Sequence, residues 1–203
     1  MGSKELIKRL KEEGWLKTPR IIKAFQQIDR SIFLPDELKR FAWVDEPLPI
    51  GRGQTISAPH MVARMTELLR PGRQDKVLEV GAGSGYQAAI LSKLVKEVIT
   101  IELEPELAKR ARENLKKAGC RNVRVLQGDG SKGYPEEAPY DKIIVTCACP
   151  EIPEELVRQL KEGGRIVIPV GGPGYQVLTL GIKEKGKLRL ERYGACVFVP
   201  LRH

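Results

Sequence analysis

The sequence predicts an α/β protein: a doubly wound, mostly parallel sheet with helices before it and an antiparallel hairpin after it. Three observations carry this. Apolar runs alternate with amphipathic stretches from Lys76 to Val170, the pattern of strands joined by crossover helices. The first run, VLEV at 77–80, breaks into Gly81, Gly83 and Gly85. The next two, VITIE and VRVLQGD, end in Glu102 and Asp129. In open α/β sheets ligands bind outside the carboxyl ends of the strands. One crevice therefore receives a glycine loop and two carboxylates, which suits a nucleoside with a free ribose.

Taken in order, residues 4–46 read as helical. Leu6, Ile7 and Leu10 form one apolar face; Ile21, Ile22, Phe25 and Ile28 form another, entered through Thr18 as cap and Pro19 in the first turn. Residues 47–60, PLPIGRGQTISAPH, read as a Pro/Gly-rich loop entering a helix that runs from Met61 to about Leu69 and stops at Pro71-Gly72. Then follow a strand at 76–81, helix 86–94, strand 98–103, helix 105–117, strand 123–128, strand 141–147, helix 153–161 and, after Gly163-Gly164, strand 165–170. Residues 175–201 hold two extended runs around Lys185-Gly186-Lys187, the pattern of a hairpin.

Composition narrows the class. A chain of 203 residues that is 41% hydrophobic can bury a full core without staples. No apolar run approaches the ~20 residues of a membrane span. The start is charged from Lys4 onward, without the apolar stretch of a signal peptide, and Leu6 stands where a myristoylation motif wants Ser or Thr. The expected compartment is the cytoplasm. Cys120, Cys147, Cys149 and Cys196 read as ordinary buried thiols. With only His60 and His203 as histidines, nothing supplies the four ligands of a zinc site, and no metal is expected. The net charge of +9 comes from 35 basic against 26 acidic residues. They are mixed along the chain in stretches such as KELIKRLKEE, the pattern of solvated helix faces. Aromatics are 5%, without a basic patch around them, so neither nucleic acid nor membrane is an expected partner. No heptad repeat is present, and a monomer is expected.

The glycine spacing separates two kinds of nucleoside site. A dinucleotide fingerprint is G-x-G-x-x-G/A, but here the third place is Tyr86 and the glycine falls one residue earlier. The resulting G-x-G-x-G resembles motif I of the class I S-adenosylmethionine-dependent methyltransferases, which have a Rossmann-like sheet. The resemblance implies that Glu79, Gly81, Gly83, Ser84 and Gly85 surround the methionyl part of the cofactor. Glu79 is expected to hydrogen-bond loop amides or approach the cofactor. Glu102, with Leu103, would hold the ribose, and Asp129, with Gly130, the adenine.

The acceptor is argued from other segments. After the fourth strand the chain reads VTCACPEIP, not the N/D-P-P-Y/F of amino-methylating branches, and no Asp/Asn metal cluster for a catechol is present. A carboxylate acceptor needs neither. With a free pKa near ~4 it is already ionised, so no general base is required. GQTISAPHM at 53–61 then gives a second resemblance. Together with VLEVGAGSGYQAA, APYDKIIVTCACPEIPEEL and VFVPLR, it is similar to the protein-L-isoaspartate O-methyltransferase family from about Pro19 onward. Cys147 and Cys149 depart from the small residues usual there.

That family implies methyl transfer from S-adenosyl-L-methionine to the α-carboxylate of L-isoaspartyl residues in damaged proteins, leaving S-adenosyl-L-homocysteine. The ester then collapses to a succinimide. By position, Ser57 would orient the acceptor oxygen; Thr55, Ile56, Ser57, His60, Val199 and Leu201 would hold isoaspartyl-containing proteins and peptides. The implied organisation is one domain over 1–203: an extension with the substrate loop (1–60), a cofactor core (61–171) and terminal strands (172–203). Blander readings stand beside these. Ser57 before Ala58-Pro59 also has the composition of a helix N-cap, a lone His60 suits packing, and Pro200 suits a protected sheet edge. The alternatives in function are an RNA methyltransferase of the same fold and a noncatalytic S-adenosylmethionine-binding protein.

Overall fold

Residues 2–203 are described in the computed structural model, and a seven-stranded sheet runs through its centre. Helices α1 (Ser3–Glu12) and α2 (Pro19–Gln27) lead in. Pro19 opens α2 as expected, but Thr18 does not cap it with its side chain. Its hydroxyl donates instead to Glu67 Oε2 at 2.7 Å, while Glu67 Oε1 accepts the amides of Lys17 and Thr18. The helical expectation for 4–46 fails after α2, where two short 3₁₀ turns follow at Arg30–Phe33 and Asp36–Phe41. The segment expected as a loop at 47–60 contains a small hairpin. β1 (Leu48–Gly51) pairs antiparallel with β2 (Gln54–Ile56), through a turn in which Gly51, Arg52 and Gly53 all have positive φ. Ile50 and Ile56 turn inward and are nearly fully buried.

Helix α3 (Pro59–Leu69) ends on Arg70, which has left-handed backbone. The alternating region gives β3 (Lys76–Val80), α4 (Tyr86–Ser92), β4 (Glu97–Glu102), α5 (Pro105–Lys117), β5 (Val123–Gln127), β6 (Tyr140–Val145), α6 (Glu154–Gln159) and β7 (Leu160–Val170). Helices α4 and α6 stop earlier than the pattern suggests. β7 begins at Leu160, where it already pairs with Tyr140 before a register shift around the two glycines. The hairpin β8 (Gln176–Glu184) and β9 (Lys187–Cys196) completes the sheet. Lys185 and Gly186 both have positive φ, as a two-residue hairpin turn of type I′ requires.

The strand order is β5-β4-β3-β6-β7-β8-β9. β3 to β7 run parallel, and β8 and β9 antiparallel. From β3 the chain steps outward to β4 and β5, then returns to β6 on the other side. That reversal makes the crevice at the carboxyl ends of β3 and β6 the natural ligand site. The period of two along each strand feeds two cores. Val77, Val98, Ile144 and Val167 pack under α1 to α5; Leu78, Ile99, Ile143 and Ile166 pack on the face of α6. All four cysteines are buried and unpaired. Among the described residues no helix is long and apolar enough to cross a membrane.

Candidate active site

The loop leaving β3 is shaped by close approach. Gly81 has φ +94°, and a Cβ there would sit 2.6 Å from Thr146 Oγ1. The amides of Gly81 and Ala82 both donate to Ile101 O, at 2.9 and 3.0 Å. Gly83, at φ +52°, donates its N–H to Glu102 Oε2 at 2.7 Å. Glu102 Oε1 accepts from the amide of Glu104 at 3.0 Å. Two backbone donors thus fix the Glu102 carboxylate at the end of β4. A carboxylate offers about four acceptor sites, so each oxygen keeps capacity toward the cleft it lines. That cleft encloses about 830 Å³ of non-atom space, partly open to solvent, and its wall includes Gly81, Gly83, Ser84, Glu102, Leu103 and Gly130.

Glu79 sits beneath this loop. Its register partner on β4 is Thr100, and it is fully buried with neither carboxylate oxygen hydrogen-bonded. Burial first, then the charge of Glu102, pushes its carboxyl up to about 8; the Thr100 hydroxyl pulls the other way without forming a well-directed bond. Gln87 Oε1, also buried, is unpartnered too, although Gln87 Nε2 donates to Thr66 Oγ1 at 3.1 Å. The expected bonds from Glu79 to loop amides are absent because those amides are taken by Ile101 and Glu102.

A second cleft adjoins the first. Thr55, Ser57, Thr146 and Val199 line both. The N-cap of α3 is Ala58, with Pro59 at the first helical position, so the capping reading of Ser57 does not hold. Its half-buried hydroxyl has no hydrogen-bond partner among the described residues, while its carbonyl accepts from Arg30 Nη2 at 3.1 Å. Thr146, at the end of β6, donates its hydroxyl to Gly81 O at 2.5 Å. His60 faces only the second cleft. Its amide and its Nδ1 lie 2.8 and 3.1 Å from Asp45 Oδ1. Burial tends to raise Asp45, but its bonds to His60 and Arg9 prevail and hold it below the usual carboxylate range. The terminal segment closes over both clefts: Leu201 N donates to Ala148 O and Ala148 N to Val199 O, each at 2.8 Å.

A family model described as Protein-L-isoaspartate(D-aspartate) O-methyltransferase (PCMT) matches residues 1–203. The chain belongs to this family. A protein-L-isoaspartate O-methyltransferase of Methanopyrus kandleri is 57% identical over 201 residues, covering 97% of this chain and 89% of that protein. A solved protein-L-isoaspartate O-methyltransferase superposes with TM-score 0.90 at 30% identity, covering all of this chain and 66% of that one. A structure from Plasmodium falciparum, described as a putative family member in complex with S-adenosyl-L-homocysteine, gives TM-score 0.87 at 28% identity and covers 100% and 99% of the two chains.

Set against the family's expected residues, the structure gathers most and displaces three. Gly81, Gly83, Ser84, Glu102, Leu103 and Gly130 line the first cleft with Thr55, Ile56, Ser57, Val199 and Leu201. Gly85 does not reach it. At φ +89° it starts α4 against Leu115, 3.2 Å from where its Cβ would stand. Glu79 lies below the wall, not in it. Asp129 faces a neighbouring cleft, because its Oδ1 is captured by the amide and hydroxyl of Ser131 at 3.0 and 2.7 Å. Sequence reasoning missed Thr146, whose signal was its place at the carboxyl end of a strand. It also missed Asp45 and Arg30, for which the sequence carries no signal.

Proposed function

We propose that this chain methylates the α-carboxylate of L-isoaspartyl residues in damaged proteins, using S-adenosyl-L-methionine, and so opens their repair through a succinimide. The observation that carries this reading is the shared wall of Ser57 and Thr146 between a nucleoside-type cleft and an acceptor-type cleft. Glu102 keeps lone pairs for the ribose hydroxyls, and the bare backbone from Gly81 to Ser84 admits the methionyl chain. The buried carboxyl of Glu79 lies beneath that loop and outside the cleft wall, so it supports the loop from below. With Asp129 turned away, the adenine falls to Ile101, Leu103 and the Gly130 backbone, and Asp129 acts by holding the Gly130 turn. When bound, the cofactor supplies an electrophilic methyl group on a sulfonium.

The protein's part is orientation. The acceptor carboxylate is already ionised, so no residue needs to remove a proton. The free Ser57 hydroxyl donates to one carboxylate oxygen and turns the other toward the first cleft. Thr55 and the Val199–Leu201 segment hold the isoaspartyl main chain, which leaves flanking side chains unread. Val62 and Met65, apolar and buried in the first cleft's wall, keep water from the reacting atoms. We take the protein to act as a monomer in the cytoplasm, a reducing compartment that suits four unpaired thiols. The test is Ser57→Ala assayed on an isoaspartyl peptide. Turnover should fall about 10- to 100-fold through lost orientation, with cofactor affinity nearly unchanged; equal loss of both would sink the orienting role.

A further inference from the structure

At the amino ends of the parallel strands, away from the candidate active site, two clefts adjoin and share Arg20 and Leu94 in their walls. The first is lined by Lys17, Arg20, Arg70 and Arg165, and the second adds Lys23, Arg73 and Lys93. Lys17, Arg20 and Lys23 lie on or just before α2, and the fold brings to them Arg70 at the end of α3, Arg73 before β3, Lys93 at the end of α4 and Arg165 on β7. Ion pairs elsewhere include Arg124–Glu137 and Lys161–Asp141, both at 2.6 Å. Among the described residues none of the seven groove cations has a carboxylate within ion-pair distance. Two acidic neighbours have other hydrogen-bond partners. Glu67, in the first cleft, is held by Lys17 and Thr18 amides and the Thr18 hydroxyl. Glu191, near Arg165, binds Arg189 and the Tyr193 hydroxyl.

The arginines are also held in place. Arg20 Nη2 donates to Leu94 O at 2.7 Å and its Nη1 to Pro71 O at 3.5 Å, and Arg165 Nε donates to Leu68 O at 3.0 Å, which leaves the terminal nitrogens of Arg165 for a ligand. Arg70 takes a left-handed backbone, φ +51°, at a helix end where glycine or asparagine is usual. Arg165 is partly buried, and its burial and then the charge of Arg70 pull its guanidinium below its ordinary value. Seven like charges against Glu67, the one carboxylate in the walls of the two clefts among the described residues, favour an anion there. Seven cations along two joined clefts exceed what one phosphate needs, and guanidinium forks match phosphate oxygens. Tyr193 in the wall offers a ring for a base to stack on.

We propose that this groove binds the phosphate backbone of single-stranded nucleic acid without regard to sequence, and so holds the protein near nucleoprotein substrates. It lies at the amino ends of the strands and the active site at their carboxyl ends, so a bound strand leaves both active-site clefts open.

The test is a fluorescence-anisotropy titration of the full chain with a labelled 20-nucleotide oligouridine over a range of salt. The comparison is the triple variant Arg70→Asn/Arg73→Ala/Lys93→Ala, whose positions are exposed and distant from the active site. Asparagine keeps the left-handed backbone at 70. Wild-type affinity should fall linearly on a log–log plot against salt. The variant should bind at least about ten-fold more weakly at low salt, with a slope shallower by about 2, since each phosphate left unneutralised on a single strand lowers it by ~0.7. Its melting temperature and its methylation of a short isoaspartyl peptide should match wild type. Absence of salt-sensitive binding, or a variant that binds as tightly as wild type, overturns the proposal. Polyglutamate displacing the oligomer as well as unlabelled RNA does overturns it too, since the groove would then take acidic protein. Binding needs no turnover, so a wild-type protein that binds RNA but fails to methylate the peptide would refute the repair reading and leave the groove standing.

Discussion

Ser57, Glu102 and Glu79 are each held in a different way. Ser57 is half-buried and unbonded through its hydroxyl, which leaves it free for a substrate. Glu102 is pinned by the amides of Gly83 and Glu104, so it presents a preset pair of acceptors. Glu102→Ala should weaken S-adenosylmethionine binding about 10- to 100-fold, as loss of hydrogen bonds to a charged group predicts. Titration calorimetry checks this, and unchanged affinity would refute the ribose assignment. Glu79 yields a pH prediction. With its carboxyl raised from 4.5 to about 8, the folded chain keeps a proton that the unfolded chain has lost. Stability should therefore fall as pH rises from about 5 to about 8, by at most about 1.4 kcal/mol per pH unit, and level off above. Glu79→Gln removes that contribution and should flatten the profile of denaturation midpoints. Parallel profiles for the two proteins would contradict it.

Among the elements, the least regular one positions the most chemistry. The stretch from Arg30 to Ser57 has two 3₁₀ turns and a short hairpin, and it is organised by one buried guanidinium. Arg30 is fully buried. It donates to the carbonyls of Ala42, Val44, Glu46 and Ser57 at 2.8 to 3.3 Å and lies 5.9 Å from the Tyr86 ring centroid. Desolvation lowers its pKa, yet no carboxylate pairs with it directly. Arg30→Met would strand four carbonyls. It should cost about 3 kcal/mol or more by denaturant unfolding, and raise the peptide KM more than it lowers cofactor affinity, because the Ser57 segment loses its anchor. Retained stability would show that the carbonyls find other donors. None of this is legible in the sequence: an arginine in a polar stretch looks exposed. Strands as short as β1 and β2, with Pro49 inside, show too little alternation to be seen.

Over the whole molecule, the parallel sheet was legible because β3, β4 and β6 carry short, mostly apolar runs (VLEV, VITI and IIV), as strands buried on both faces tend to. The carboxyl-end rule places Glu102 at the cleft, where the structure has it in the wall, and applies equally to Thr146. Asp129 lines a neighbouring cleft, and its side chain reaches its own backbone two residues on, a local competition that strand position does not reveal. Charge shows the same limit. Read along the chain, lysines and arginines are diluted by glutamates, and only the fold collects Lys17, Lys93 and Arg165 on one face. The candidate active site thus lies at the carboxyl ends of the parallel strands and the cationic clefts at their amino ends.

The central claim is carboxyl transfer to isoaspartate. It is tested most directly by measuring label transfer from S-adenosyl-L-methionine to a short L-isoaspartyl peptide beside its normal aspartyl twin. Base-labile methylation of the isoaspartyl peptide alone is the predicted result. Labelling of neither peptide, by protein that binds the cofactor, would contradict the account.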